Sequence, residues 1–208
     1  MRMFGERGFD QASTRDIATR AGVNPPALQY YFESKEGLHR ACAQHIISHA
    51  LPQLQPFMDR AGVAAAEGEQ SGALKALENL LDALVERLAQ RDMEIWSRFI
   101  VRGKHDGAGP GMAMIREHLS RPMMDAVASL VAVITGLPKS DEVSQLRTLL
   151  VLGQIHWMNA SREEFLRVMG WPKLDAGKIA IIKQTVREHT RAVFKEFFTQ
   201  PSATGIQP

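Results

Sequence analysis

A single cysteine, Cys42, in 208 residues excludes an internal disulfide and a multi-thiolate metal site. Its helical neighbours are alanines, so it reads as a small buried hydrophobe in a reducing compartment. No apolar run approaches the roughly 18 residues that a membrane helix needs, and the N-terminus lacks the charged start and apolar middle of a signal peptide. A cytoplasmic protein without membrane contact is therefore expected. No segment alternates polar and apolar residues as a strand does, and no internal repeat is present, so the expected fold is all-α. Charge of one sign is also scarce. The net charge is +2, and in residues 1–50 six basic side chains face five acidic ones, a thin basic footprint for a nucleic-acid binder. Signs of catalysis are missing too. His45 and His49 lie four apart, but HIISH lacks the glutamate of HExxH and no third ligand is obvious. The glycine-rich stretch 103–111 lacks the Gly-Lys-Ser/Thr ending of a phosphate-binding loop, and no nucleophile elbow or marked carboxylate pair occurs. No enzyme activity, cofactor or metal is expected.

What is present is most informative in residues 13–35, STRDIATRAGVNPPALQYYFESK. Ser13 can cap a helix, and Asp16 three residues on closes a capping box. Ile17 and Ala21 sit four apart on the face expected to pack inward. Gly22 stands where a helix ends in the left-handed conformation, and Val23 is expected to plug the angle between two helices. Asn24 is a strong N-cap, and Pro25 suits a first turn that needs no amide donor. The second helix, 25–32, should expose Pro26, Gln29 and Tyr30 while burying Leu28 and Phe32. Lys35 opens the next helix, placed to meet a phosphate together with the positive helix end.

Further along, residues 35 to about 59 read as one helix that Pro52 and Pro56 must bend or end, followed by a loop or frayed end over 60–72. Leu74, Leu77, Leu81, Leu84 and Leu88 form an apolar stripe. Helices are expected over 93–104, over about 112–135 with an interruption near Pro122, from a cap at Ser140 or Asp141 to about Met169, and over 176–198. Residues 103–111 read as a flexible connection and the tail from Gln200 as disordered. The expected division is a DNA-binding domain over 1–50, a ligand-binding and dimerisation domain over 51–199, and the tail.

Gly8-Phe9, Thr14, Asp16-Ile17-Ala18, Ala21-Gly22-Val23, Leu28, Tyr31-Phe32, Ser34-Lys35-Glu36 and Leu38 together resemble the helix-turn-helix domain of the TetR family of regulators. Met1 to Arg7 looks like only the C-terminal half of that family's first helix. Either the start codon is assigned too far downstream or the helix is clipped. Gly136-Leu-Pro, Leu149-Leu, Leu152-Gly-Gln154, Ala160, Phe165-Leu-Arg and Gly170-Trp171 resemble the C-terminal domain of the CecR (YbiH) branch, although Trp157 and Asn159 depart from it. The resemblance implies that Thr14, Tyr31 and Lys35 bind phosphates, and that Asn24, Pro25, Pro26, Ala27, Gln29 and Tyr30 face the major groove. Gln29, where the family usually has an aromatic, can pair bidentately with an adenine edge.

One helix-turn-helix reads too few base pairs for specificity, so a homodimer on a palindromic double-stranded operator is expected. Ile179, Ile182, Val186, His189, Val193 and Phe197 on the last helix, with Leu146, Leu149, Gly153 and Ala160 on the helix before it, form the candidate interface. A small, largely apolar inducer is expected among Met93, Trp96, Phe99, Ile100, Met123, Trp157 and Met158, oriented by polar groups such as Arg98, Arg102, His105, His118 and Gln154. The expected function is a repressor released from its operator by that inducer. The alternatives are an activator with the opposite ligand response, and a ligand-binding or interaction protein of the same fold that does not bind DNA.

Overall fold

A computed structural model describes residues 1–105 and 109–199. The centre of the 103–111 connection, the side chain of His105 and the tail from Gln200 lie outside the described residues. Every regular element within them is helical: α1 (Arg2–Gln11), α2 (Thr14–Ala21), α3 (Pro25–Phe32), α4 (Lys35–Glu67), α5 (Gln70–Arg87), α6 (Met93–His105), α7 (Pro110–Ile115), a π-helical turn (Arg116–Ser120), α8 (Arg121–Thr135), α9 (Glu142–Ala160), α10 (Arg162–Met169) and α11 (Ala176–Thr199).

Two helix boundaries differ from those expected. Neither Pro52 nor Pro56 ends α4, which continues to Glu67 and stops at Gly68 in the left-handed conformation (φ 73°). Each proline removes one backbone donor. The buried run Leu54, Met58, Ala61 and Ala64, with the strong helix formers around it, outweighs that loss. The helix starting at Glu142 ends at Ala160 and not near Met169. Asn159 and Ser161 are weak helix formers, and the Asn159 carbonyl accepts a hydrogen bond from Ser97 Oγ at 2.7 Å in place of a helical amide. Asp141, not Ser140, caps α9, its carboxylate accepting from the amides of Val143 (2.9 Å) and Ser144 (3.1 Å). The interruption near Pro122 takes the form of the π-turn. Pro122 has no amide to offer the ladder, and the Arg121 amide reaches back five residues to the Arg116 carbonyl.

The chain forms two compact units that are not consecutive in sequence. The first contains Met1–Gln53, Gln90–Met123 and Trp157–Pro172, so α6, α7 and α10 pack with the N-terminal helices. Its core joins Met3, Phe4, Ile17, Ala18, Leu28, Leu38, Ile46, Met93, Trp96, Phe99 and Met112. Cys42 is buried there. Within this core His39 is enclosed by three rings, with centroids at 4.9 Å (Phe4), 5.0 Å (Phe9) and 4.7 Å (Phe99). The Gly111 amide donates to its Nδ1 at 3.0 Å, and a Cβ on Gly111 would lie 2.7 Å from the His39 carbonyl oxygen, so only glycine allows that approach.

Burial, with nearby positive charge adding, pushes the His39 pKa down to about 4. The native state therefore holds a neutral ring while the unfolded chain takes up a proton near pH 6.5. Stability from this group is complete above about pH 6.5 and falls as the pH drops toward 4. The full loss is roughly 3 kcal/mol at ~1.4 kcal/mol per pKa unit. Urea unfolding at a series of pH values should show this slope, and His39→Gln should flatten it; an equal slope in the variant would refute the assignment.

The second unit contains Leu54–Ala89, Met124–His156 and the chain from Lys173. Leu77, Leu80, Leu81 and Val85 of α5, Val127, Leu130 and Ile134 of α8, and Ile179, Ile182, Val186 and Phe194 of α11 are all buried. Alongside, α5 and α11 are joined by an ionic ladder, Glu78–Arg191 (2.5 Å), Asp82–Arg187 and Glu86–Lys183. Its rungs recur every four residues on antiparallel helices.

Candidate nucleic-acid interface

The helix-turn-helix is built by local chemistry. Ser13 Oγ accepts from the Asp16 amide at 3.0 Å and starts α2. The Asp16 carboxylate accepts from Arg7 Nη1 at 3.0 Å, tying α2 to α1. Gly22, at φ 67°, closes α2, and the Val23 amide reaches back to the Ala18 carbonyl at 3.0 Å. Ile17 and Ala18 face the core. Ala21, expected on that face, is exposed because it lies in the last turn, beyond the cover of the neighbouring helices. Val23 does not plug the interhelical angle; it is 46% exposed, since its amide, not its side chain, completes the turn. Asn24 occupies the N-cap of α3 without a side-chain hydrogen bond. With prolines at the first two helical positions, the first available amide is that of Ala27, and the Asn24 carbonyl takes it at 2.9 Å. Leu28 is buried as expected, whereas Phe32 is only half-buried at the last residue of the helix.

The outer face of α3 carries Asn24, Pro25, Pro26, Gln29 and Tyr30, all exposed, with Ala27 half-exposed. Tyr30 and Tyr31 are 82% and 75% exposed and meet edge to face at 5.4 Å. Thr14, at the first turn of α2, is half-buried. Lys35 Nζ donates to the Asp10 carbonyl at 2.9 Å and lies 4.7 Å from the Phe9 ring centroid, so its charge is held against the end of α1. Arg20 grips Glu6 through both guanidinium nitrogens, Nη2 to Oε1 at 2.9 Å, and this hydrogen bond holds the Glu6 carboxyl below the usual carboxylate range. These contacts engage Arg7, Arg20 and Lys35 within the fold.

The other expected site residues separate. Met93, Trp96 and Phe99 belong to the packed core of the first unit, Met123 is buried, Ile100 and Arg102 are half-buried and His118 is exposed. Trp157 lies edge-on to Phe165 at 5.9 Å, with Met158 half-buried beside it in sequence. Gln154 belongs to the second unit, where its Oε1 lies 2.9 Å from His189 Nδ1. The expected interface seam divides in the same way. Ile179, Ile182 and Val186 face the core of the second unit, correcting their assignment to a surface seam. The buried line continues through Thr190 and Phe194, and the expected seam leaves it at His189. His189 and Val193 are exposed, as are Leu146, Leu149 and Gly153 of α9; Phe197 is half-buried under the Arg147 guanidinium at 4.7 Å, and Ala160 falls in the first unit. Val143, Leu150 and Ile181 are exposed apolar residues the sequence reading missed, although Leu150 follows Leu146 at helical spacing.

No group of three or more His, Cys, Asp or Glu is placed to hold a metal among the described residues, and no described helix is long and apolar enough to cross a membrane. The rings of His45 and His49 lie 4.2 Å apart, tilted by 45°, with His49 Nδ1 2.8 Å from the His45 carbonyl oxygen.

An N-terminal helix-turn-helix whose second helix turns an exposed face outward, followed by a wholly helical remainder among the described residues, is the arrangement of a helical DNA-binding regulator. Residues 1–42 match the family described as bacterial regulatory proteins, tetR family, and residues 73–196 match the C-terminal domain of the HTH-type transcriptional dual regulator CecR. The chain is 33% identical over 194 residues to the HTH-type transcriptional dual regulator CecR of Shigella flexneri, covering 89% of this chain and 83% of that protein. It is also 36% identical over 53 residues to the uncharacterized HTH-type transcriptional regulator YvdT of Bacillus subtilis (strain 168), covering 26% and 27%. The chain belongs to the TetR family of transcriptional regulators, with a C-terminal domain of the CecR type. Regulators of this family bind DNA and dimerise.

Proposed function

We propose that the protein is a repressor that holds a palindromic operator as a homodimer and is released by a small-molecule inducer. The observation that carries this reading is the outer face of α3. Its prolines offer an apolar surface for thymine methyls, Gln29 offers an amide to a base edge, and Tyr30 and Tyr31 project fully from the fold. Thr14 and Tyr31 flank that face as phosphate ligands, and Lys35 joins them by releasing the Asp10 carbonyl.

Pairing of two copies uses the exposed line Val143, Leu146, Leu149, Leu150 and Gly153 on α9 with His189 and Val193 on α11. Because α4 contributes its first half to the unit holding the reader and its second half to the other unit, it is the element through which a ligand shifts the reader. An inducer that prefers the DNA-incompetent state by about 1–3 kcal/mol lowers operator affinity roughly 5–150-fold. Activation at some promoters is the second reading, favoured by the name "dual regulator" carried by the Shigella relative.

Fluorescence anisotropy on an operator fragment tests the recognition helix. Gln29→Ala should weaken specific binding by roughly 1–3 kcal/mol per half-site and leave binding to random duplex unchanged. Equal discrimination by variant and parent would remove Gln29 from base readout.

A further inference from the structure

His45 and His49 share one face of α4, and their spacing alone offers no third metal ligand. Among the described residues the fold brings no third His, Cys, Asp or Glu to them either. What it adds is a mount that holds both rings ready for an ion.

Three observations build that mount. Both imidazoles are exposed and lean on one buried ring, Trp96 of α6, whose centroid lies 6.0 Å from that of each histidine at interplanar angles of 84° and 62°. A shared wall restricts the rotamers of both side chains, so less side-chain freedom is lost when they chelate. The tautomer of His49 is also set. Its Nδ1 lies 2.8 Å from the His45 carbonyl oxygen, which can only accept, so Nδ1 carries the proton and Nε2 presents its lone pair. Metal-bound histidines are held in this way, by a hydrogen bond from the other ring nitrogen. Finally, the ring centroids are 4.2 Å apart and tilted by 45°. Two imidazoles on one ion, each bonded at about 2.0–2.1 Å, have ring centres roughly 4.5–5 Å apart, within reach of a side-chain shift under ~1 Å.

We propose that His45 and His49 form a two-imidazole site for a divalent transition ion, with His49 ligating through Nε2 and water filling the remaining positions. Zinc favours three or four protein ligands. Imidazole nitrogens with open positions for water suit copper(II) first and nickel(II) next, the order of their general affinity for such donors. The exposed setting leaves the charge of the ion in water, so no buried counter-charge is needed. An ion on both rings also closes one turn of α4, and by binding the folded helix it stabilises the chain.

Titration of the untagged full chain with Cu2+ in a weakly coordinating buffer tests the site, read by tryptophan fluorescence and electron paramagnetic resonance. One ion per chain should quench emission, and the resonance should show two imidazole nitrogens on the copper. His45→Ala and His49→Ala should each weaken binding by more than about tenfold, since altering even a supporting group behind a metal ligand costs roughly 10–100-fold. Trp96→Phe should keep the resonance and lose most of the quenching. Saturating Ni2+ should raise the melting temperature of the parent and not that of the double histidine variant. Melting curves establish folding; alanine suits exposed helical positions, so the histidine variants carry the test if Trp96→Phe does not fold. Unchanged copper affinity in the folded histidine variants would mean an adventitious ion only, bound elsewhere on the chain, and would overturn the site. A copper spectrum with a single imidazole nitrogen, or tighter binding of Zn2+ than of Cu2+, would overturn it as well.

Discussion

Replacing Phe4 with alanine should destabilise the first unit by about 3–5 kcal/mol, the range for deleting a buried aromatic ring. Phe4 is almost fully buried and touches the ring of His39 from α4, that of Phe9 beyond the kink at Gly8, and that of Phe99 from α6. Removing it opens a cavity where three elements meet and lets water reach His39, which the native state keeps neutral. The consequence extends to DNA. Arg7 and Glu6 on α1 hold Asp16 and Arg20 of α2, so a loosened α1 loosens the first helix of the reader. Urea unfolding followed by far-ultraviolet circular dichroism measures the loss, and a change below about 1 kcal/mol would show that α1 is not the keystone of this core.

Leu149→Glu should convert the protein to a monomer and abolish specific operator binding at concentrations where the parent is fully bound. Leu149 is 55% exposed in the single chain and flanked on α9 by the exposed Leu146 and Leu150, an apolar line that a soluble surface does not otherwise need. A carboxylate there would be desolvated twice in a symmetric interface, once on each copy. The single chain should scarcely notice, because an exposed position away from the core changes stability within about 0.5 kcal/mol. Sedimentation equilibrium with a parallel melt separates these effects. A variant that remains dimeric and binds operator normally would move the interface elsewhere.

The reader was legible in the sequence because its signals are local and each tests a backbone conformation. Ser13 caps, Gly22 adopts the left-handed conformation, and Pro25 stands at the first turn of α3. Val23 and Ala21 were misread because helical spacing says which residues share a face, not where the neighbouring helix stops covering it. The same limit split the α11 seam. Ile179, Ile182 and Val186 lie on the buried line that continues to Thr190 and Phe194, while His189 and Val193 sit one position off it, on the outside. Pro52 and Pro56 suggested that the helix bends or ends there; it does not end, because the rule counts one lost donor and not the apolar burial on either side. The pairing of Arg98 with Glu163 had no local signal at all: packing within the first unit brings the two together across 65 residues of sequence.

Selection of operators from a random duplex library, followed by footprinting of the winners, tests the central claim most directly. The account predicts enrichment of a palindrome whose two half-sites are contacted in successive major grooves about 10–10.5 base pairs apart, with affinity falling linearly in log–log form as salt rises and enrichment lost in Gln29→Ala. A library that returns no common sequence, with binding of every duplex equal at a given salt concentration, would contradict the assignment of α3 as a sequence-reading helix.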